Sequence, residues 1–260
     1  VAQKIATWLA QHGASELILL SRHAPDRLPD MGVPVRVVEG DAADEALIPS
    51  ILDAHPALEG VVHAAGVLAD APVAEQTRET IASVAHAKIG GAVALDRAIR
   101  GRDIRHIVLF ASAAGVLGSA RQANHAFCST FLDGLAEKRR AEGLPYISLD
   151  WGVWREVGSA AERGFDGRAQ QLGLGSIDPE QGASLFGAAL RSSEGRLLVL
   201  PSVDWRRFTA HFEAGVPALL EKVARGQESP PAAAPGQPVA AAGAPGRDDL
   251  ARIVGQCLGI

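Results

Sequence analysis

The chain has 260 residues, 47% of them hydrophobic and 21% charged, with a formal net charge of −5; this is enough material for one large globular domain or a domain with an appendage. The acidic balance and the lack of any Lys/Arg-rich run argue against a nucleic-acid partner. No apolar stretch nears the roughly 18 residues of a membrane span, no signal peptide opens the chain, and the two cysteines, Cys128 and Cys257, lie far apart, so a cytoplasmic protein without membrane association or a disulfide framework is expected.

Val1, Ile5, Trp8 and Leu9 mark an amphipathic helix that stops at Gly13, and Leu17–Leu20 follows as a short buried strand. Helix, tight turn and apolar strand form the second half of a βαβ nucleotide-binding unit. Its first strand and Gly-rich loop are expected ahead of Val1, which enters in mid-pattern as part of something longer. Arg22, directly after the strand with Ser21, stands where a guanidinium can meet the 2′-phosphate of NADP, or else is a solvated turn arginine. Residues 23–32 are turn-rich and carry no helical periodicity. Val33–Val38 reads as the next strand and leads into Glu39-Gly40-Asp41-Ala42, where Asp41 also suits a helix N-cap.

A helix over Ala43–Ala54 precedes the strand Gly60–His63, which enters Ala64-Ala65-Gly66. Three small residues after a strand let the backbone approach a ligand closely, and His63 reads as a packed strand-end histidine rather than a base. Residues 75–100 form a long helical stretch that carries Lys88 and then Gly90-Gly91; a lysine on a helix is ordinarily solvated. The apolar run His106–Phe110 passes through a small-residue loop into a helix with Phe127, Phe131, Leu132 and Leu135 at helical spacing. Strand, polar loop and helix is where open α/β sheets place their chemistry.

Further on, Leu144–Leu149 is another strand, Ile177–Gln181 a turn with an acidic helix start, and Leu197–Leu200 the last strand. Glu228–Gly246, rich in Pro, Ala and Gly, reads as a linker, and Arg247–Ile260 opens a new amphipathic helix.

The stretch Phe110–Asp133, FASAAGVLGSARQANHAFCSTFLD, resembles the active-site segment of ketoreductase domains of modular polyketide synthases, within the short-chain dehydrogenase/reductase superfamily. That family reads roughly SSxAGxxGxxGQxxYAAAN. Ser112 is in register, but His125 stands at the tyrosine and Ser129 at the asparagine. Other segments share the likeness: HAKIGGA around Lys88 is similar to APKVDGA, with Lys88 at the family's 24 residues before Ser112. His63–Gly66 matches HAAG, and Trp151–Trp154 matches WGPW. Val203–Phe208 matches a segment that closes the domain, and Arg247–Ile260 looks like the first helix of an acyl carrier protein.

The resemblance implies an α/β fold, a Rossmann-like doubly wound parallel sheet lacking its first strand and Gly-rich loop in this segment. It implies a ketoreductase-like domain over 1–213, a linker over 214–246 and the start of a carrier domain over 247–260, with residues 155–174 as a lid over the substrate. It implies NADPH as cofactor, held by Ser21, Arg22, Asp41 against the adenine amine, Ala42, His63, Ala64, Ala65, Gly66 along the nicotinamide ribose, and Lys88; no metal is implied. Partners would be a carrier-bound β-ketoacyl thioester and neighbouring synthase domains. Val67-Leu68-Ala69-Asp70 matches the family's Leu-Asp-Asp stereochemical fingerprint except at Ala69.

The catalytic set carried over is Lys88, Ser112, His125 and Ser129. In the family a tyrosine phenol gives the proton, a serine orients the carbonyl, and an asparagine-held water relays protons to lysine. The only tyrosine, Tyr146, lies on a later strand. An imidazolium is a competent acid near neutral pH, yet a nearby Lys88 ammonium favours the neutral ring. Three readings follow: a reduction-impaired scaffold domain, an active reductase using His125, or a redox-silent epimerase that enolises the α-carbon.

Overall fold

Strands covered on both faces must be apolar throughout, and Ile107–Ala111 and Tyr146–Trp151 are buried residue after residue. They are the centre of an all-parallel sheet in a computed structural model that describes residues 1–25, 27–155 and 165–225. Strands β3 (Gly60–His63), β4 (His106–Ser112), β5 (Tyr146–Trp151) and β6 (Arg196–Val199) lie in that order, all parallel, and β1 (Leu17–Ser21) pairs in parallel with β2 (Val35–Glu39). The fold is the expected α/β type with a Rossmann-like parallel sheet. The two sheets share no described ladder.

Alternation along β4 sends its side chains to two layers. Ile107, Leu109 and Ala111 join Ile48 and Leu52 of α2 (Leu47–Ala54), Leu95 of α4 (Gly91–Ala98) and Leu132 of α6 (Ala123–Ala141). On the opposite face Phe110 packs against Trp151 and Phe186, and Phe186 meets Trp8 of α1 (Ala2–Gln11) edge-on. Phe186 belongs to the helix Pro179–Ala189, whose proline sits at the first helical position as the sequence suggests.

Several boundaries differ from the sequence reading. The second helix starts at Leu47 and not at Ala43, because Asp44 Oδ1 accepts from the N–H groups of Ala46 and Leu47. The single helix expected over 75–100 is four pieces: a 3₁₀ turn Val73–Glu75, α3 (Arg78–Ala85), a π-helical turn His86–Gly90, and α4. A reciprocal capping box between Thr77 and Thr80 sets where α3 begins. On α6 the apolar stripe is rotated from the one expected. Cys128, Leu132 and Ala136 are buried with Ser129 and Asp133, while Phe127 and Phe131 face outward.

The described residues fall into two compact units. Val1–Gly152 with Pro179–Val199 forms the sheet unit; Val153–Asp178 and the described residues from Leu200 form the other. The chain leaves the sheet after β5 and returns at Pro179 for its last helix and strand. In the second unit Trp154 bridges to Ile177 and Leu174 to Val203, Trp205–Thr209 is a helix capped by Asp204, and a 3₁₀ turn Ala218–Leu220 precedes a helix Glu221–Arg225. Residues 156–164 of the expected lid, 226–246 of the expected linker and the carrier helix 247–260 lie outside the described residues. Among the described residues no helix is long and apolar enough to cross a membrane.

Candidate active site

Parallel strands of the sheet unit end on one side, and the residues singled out from sequence follow those ends. Ser21 and Arg22 close β1, Asp41 and Ala42 follow β2, His63–Gly66 close β3, and Ser112 closes β4. Ligands of open α/β sheets bind outside the carboxyl ends of the strands.

Lys88 sits in the π turn, 4% exposed, on the inner side of the helical stretch. Its Nζ donates to Phe110 O at 3.2 Å and to Ser129 Oγ at 3.2 Å, and Ser129 Oγ in turn donates to His125 O at 2.9 Å. Burial pushes the amine down to about 8, opposed by the charges of Cys128, Asp150 and Asp133, so the group is still mostly protonated at neutral pH. The structure therefore joins Lys88 to Ser129 directly. Ser112 Oγ accepts from Ala114 N at 3.2 Å, and among the described residues no hydrogen bond links it to His125 or Lys88.

His125 lies in the first turn of α6, which is pinned to the loop after β3. Asn124 Nδ2 donates to Ala69 O at 2.7 Å, Gln122 Nε2 to Asp70 Oδ1 at 3.2 Å, and Ala71 N to Arg121 O at 2.9 Å. The His125 Nδ1 atom is buried without a hydrogen-bond partner among the described residues. Burial first, and the Lys88 charge second, push its pKa down to about 3, which leaves a neutral ring at physiological pH.

Sequence reasoning missed a polar layer beneath the lysine. Ser148 Oγ donates to the buried Asp133 at 2.6 Å, and Arg196 Nε donates to the fully buried Asp150 at 2.8 Å while its Nη2 lies 3.0 Å from Asp133 Oδ2. Burial raises the pKa of both carboxyls, and the charges of Arg196 and Lys88 pull it back. A signal was available: Asp133 lies four residues past Ser129 on the face of α6 that turns inward.

The cofactor-side residues are placed as follows. Arg22 is exposed at the end of β1, where its charge also helps to lower the Asp41 carboxyl, and its guanidinium fits a phosphate. Asp41 accepts from Ala43 N at 2.8 Å and faces His86 Nε2 at 2.9 Å, and these two contacts hold its carboxyl below the usual range; its remaining lone pairs leave room for an amine donor. His86 was not among the residues expected here. Ala64, Ala65 and Gly66 follow β3, with a Cβ at Gly66 coming no nearer than 3.7 Å to Lys88. The donor set fits a phosphorylated dinucleotide. His63 is buried and turns its Nε2 to Lys88 O at 2.9 Å.

Residues 1–156 match the family model of the KR domain. The polyketide synthase GfsA of Streptomyces halstedii is 39% identical over 249 residues, which cover 91% of this chain and 3% of that synthase. Solved structures of A-type ketoreductases from a modular polyketide synthase superpose with a TM-score of 0.78 at 34% identity, covering 84% of this chain and 49% of theirs. That of an A1-type ketoreductase gives 0.79 at 33% identity, covering 86% and 50%. The chain thus spans about half of those solved chains and a small fraction of the synthase.

Proposed function

The chain belongs to the KR domain family of modular polyketide synthases, and from that premise we propose that it is a ketoreductase-type domain whose capacity for reduction is impaired. NADPH, typical of the family, would supply the hydride for a β-ketoacyl thioester held on a carrier protein. Arg22, Asp41 and the Ala64–Gly66 segment would hold it. Ser112 would orient the carbonyl oxygen, and Lys88 would hold positive charge below it. The proton for the developing alkoxide has no good source, since a buried neutral imidazole is a far weaker acid than an imidazolium or a lysine-supported phenol. Histidine at position 125, where the family pattern carries the proton-donating tyrosine, carries the reading, and the burial that disfavours a charged ring supports it. Ser129 supports it, because its hydroxyl takes the lysine hydrogen bond directly where the family places a relay water.

The test is NADPH oxidation with a β-ketoacyl thioester. The wild-type chain in its complete synthase should run about 10²–10⁴-fold slower than the His125→Tyr variant. Brisk oxidation by the wild type, abolished by His125→Ala, would overturn the proposal and favour a reductase that uses His125 as its acid.

One observation favours a second reading. The His125 Nδ1 atom is buried without a hydrogen-bond partner among the described residues, and its lone pair would take the proton from the carbon between two carbonyls in a redox-silent epimerase, although the burial that keeps the ring neutral also makes it a weak base. Loss of α-deuterium from the same thioester without NADPH oxidation, dependent on His125, distinguishes it. Neighbouring synthase domains and a cytoplasmic setting belong to the same proposal.

A further inference from the structure

The π turn that carries Lys88 is held from outside as well as from within. Its Lys88 carbonyl accepts from Gly91 N and also faces the buried ring of His63, 2.9 Å away across from the end of β3. A carbonyl only accepts, so Nε2 is the nitrogen that bears hydrogen. Gly91 makes the approach possible. A Cβ there would lie 2.5 Å from His63 Cε1, a distance real side chains essentially never show, and a tight 3.3 Å from Ala42 Cβ. The same lysine then sends Nζ to Phe110 O and Ser129 Oγ, so one residue is fixed at both its carbonyl and its amine by different strands.

We propose that His63 is a positioning residue for Lys88, its Nε2–H locking the π turn in the register that aims the lysine amine at Phe110 O and Ser129. The inference rests on reading Lys88 as the active-site lysine, and it concerns the geometry of the amine rather than turnover. Packing in a strand-end slot explains a buried histidine, but it does not explain a glycine kept clear under the ring and a hydrogen bond to that one carbonyl. Burial pushes His63 down to about 4, so the ring stays neutral near pH 7 and offers a single hydrogen.

The chain contains four lysines, and Lys4, Lys138 and Lys222 are exposed, so ¹⁵N-lysine labelling of the full chain resolves Lys88 Nζ by NMR. The wild type should titrate near 8, and its imidazole ¹⁵N shifts should show His63 as the Nε2–H tautomer. His63→Leu, and Gly91→Ala with the histidine intact, should each lower the Lys88 midpoint by about one pH unit or more, as the still-buried ammonium loses its acceptors. His63→Gln, which keeps an N–H donor, should restore the wild-type curve. An Nδ1–H tautomer in the wild type overturns the proposal. So does a His63→Leu chain that is less stable yet leaves Lys88 titrating as before, or a glutamine variant that behaves like leucine. The tautomer and the glutamine arm still decide if the leucine variant fails to fold. None of these readings depends on NADPH oxidation, so a ketoreductase reading can fail while this one stands.

Discussion

Arg121 has φ +69°, the sole left-handed backbone among the described non-glycine residues, at the place where the family pattern carries glycine. The strain is held in place because Arg121 O accepts from Ala71 N, and Gln122 and Asn124 then clasp the same loop ahead of His125. A left-handed non-glycine residue costs about 1 kcal/mol or more, so Arg121→Gly should raise the stability of the chain by about 0.5–1 kcal/mol in urea unfolding, while Arg121→Val lowers it. A second prediction at this scale concerns acid. His63 and His125 have folded-state values of about 4 and about 3 against an ordinary 6.5. The unfolded chain therefore binds protons first as pH falls. Stability from the two neutral rings is fully present above 6.5 and is lost as pH drops toward 4 and 3, with a slope of up to about 1.4 kcal/mol per pH unit for each ring. Urea midpoints followed from pH 7 to 4.5 should fall less steeply for His125→Phe than for the wild type. Equal slopes would mean that the folded ring titrates like an exposed one.

Three elements of the sheet unit meet at one carboxylate. Asp96 of α4 accepts from Arg139 of α6 through two bonds of 2.6 Å, from the Tyr146 hydroxyl of β5 at 2.7 Å and from Arg100 at 3.1 Å, with only 5% of its surface exposed. Removing one partner of such a buried group leaves the others uncompensated. Asp96→Ala should therefore cost about 3–5 kcal/mol in unfolding free energy, whereas Asp96→Asn, which keeps the shape and one acceptor, should cost less. Measured equality of the two variants would count against charge pairing as the cause. The alternation of strand and helix was legible in runs such as Leu17–Leu20 and His106–Phe110, because a strand buried on both faces must be apolar. The π turn was not legible. Nothing in HAKIGGA separates it from α-helix, and what selects it is the tertiary pull on Lys88 from β3, β4 and α6. The stripe of α6 was misjudged for a related reason. Ser129 and Asp133 are polar, and only partners on other elements make their burial tolerable. The site residues were placed through motif spacing rather than through periodicity. Spacing singled out Lys88 and Ser112, but it had no means of showing His86 on Asp41 or Arg196 between two carboxylates.

At the scale of the whole sheet unit, stability is unevenly spread. β4 and β5 sit inside a four-stranded sheet with Val108, Leu109 and Leu149 fully buried, and helices cover both faces. β1 and β2 form a two-stranded sheet whose supporting cluster contains only Ala6, Leu17 and Met31 as buried members. Regions with few buried contacts open at a lower free energy than the global transition. Arg22 and Asp41 stand at the ends of this weaker pair, while Lys88 and Ser112 are anchored to the stronger sheet. Amide hydrogen exchange should accordingly be fastest along Leu17–Ser21 and Val35–Glu39 and slowest along Ile107–Ala111 and Ile147–Leu149. A phosphate-bearing dinucleotide that engages Arg22 and Asp41 should slow exchange in the first pair and leave the second unchanged, because binding stabilises only states in which its site is formed. Protection that rises evenly across all six strands would show the two sheets opening as one, and the separation in stability argued from their unequal burial would then be wrong.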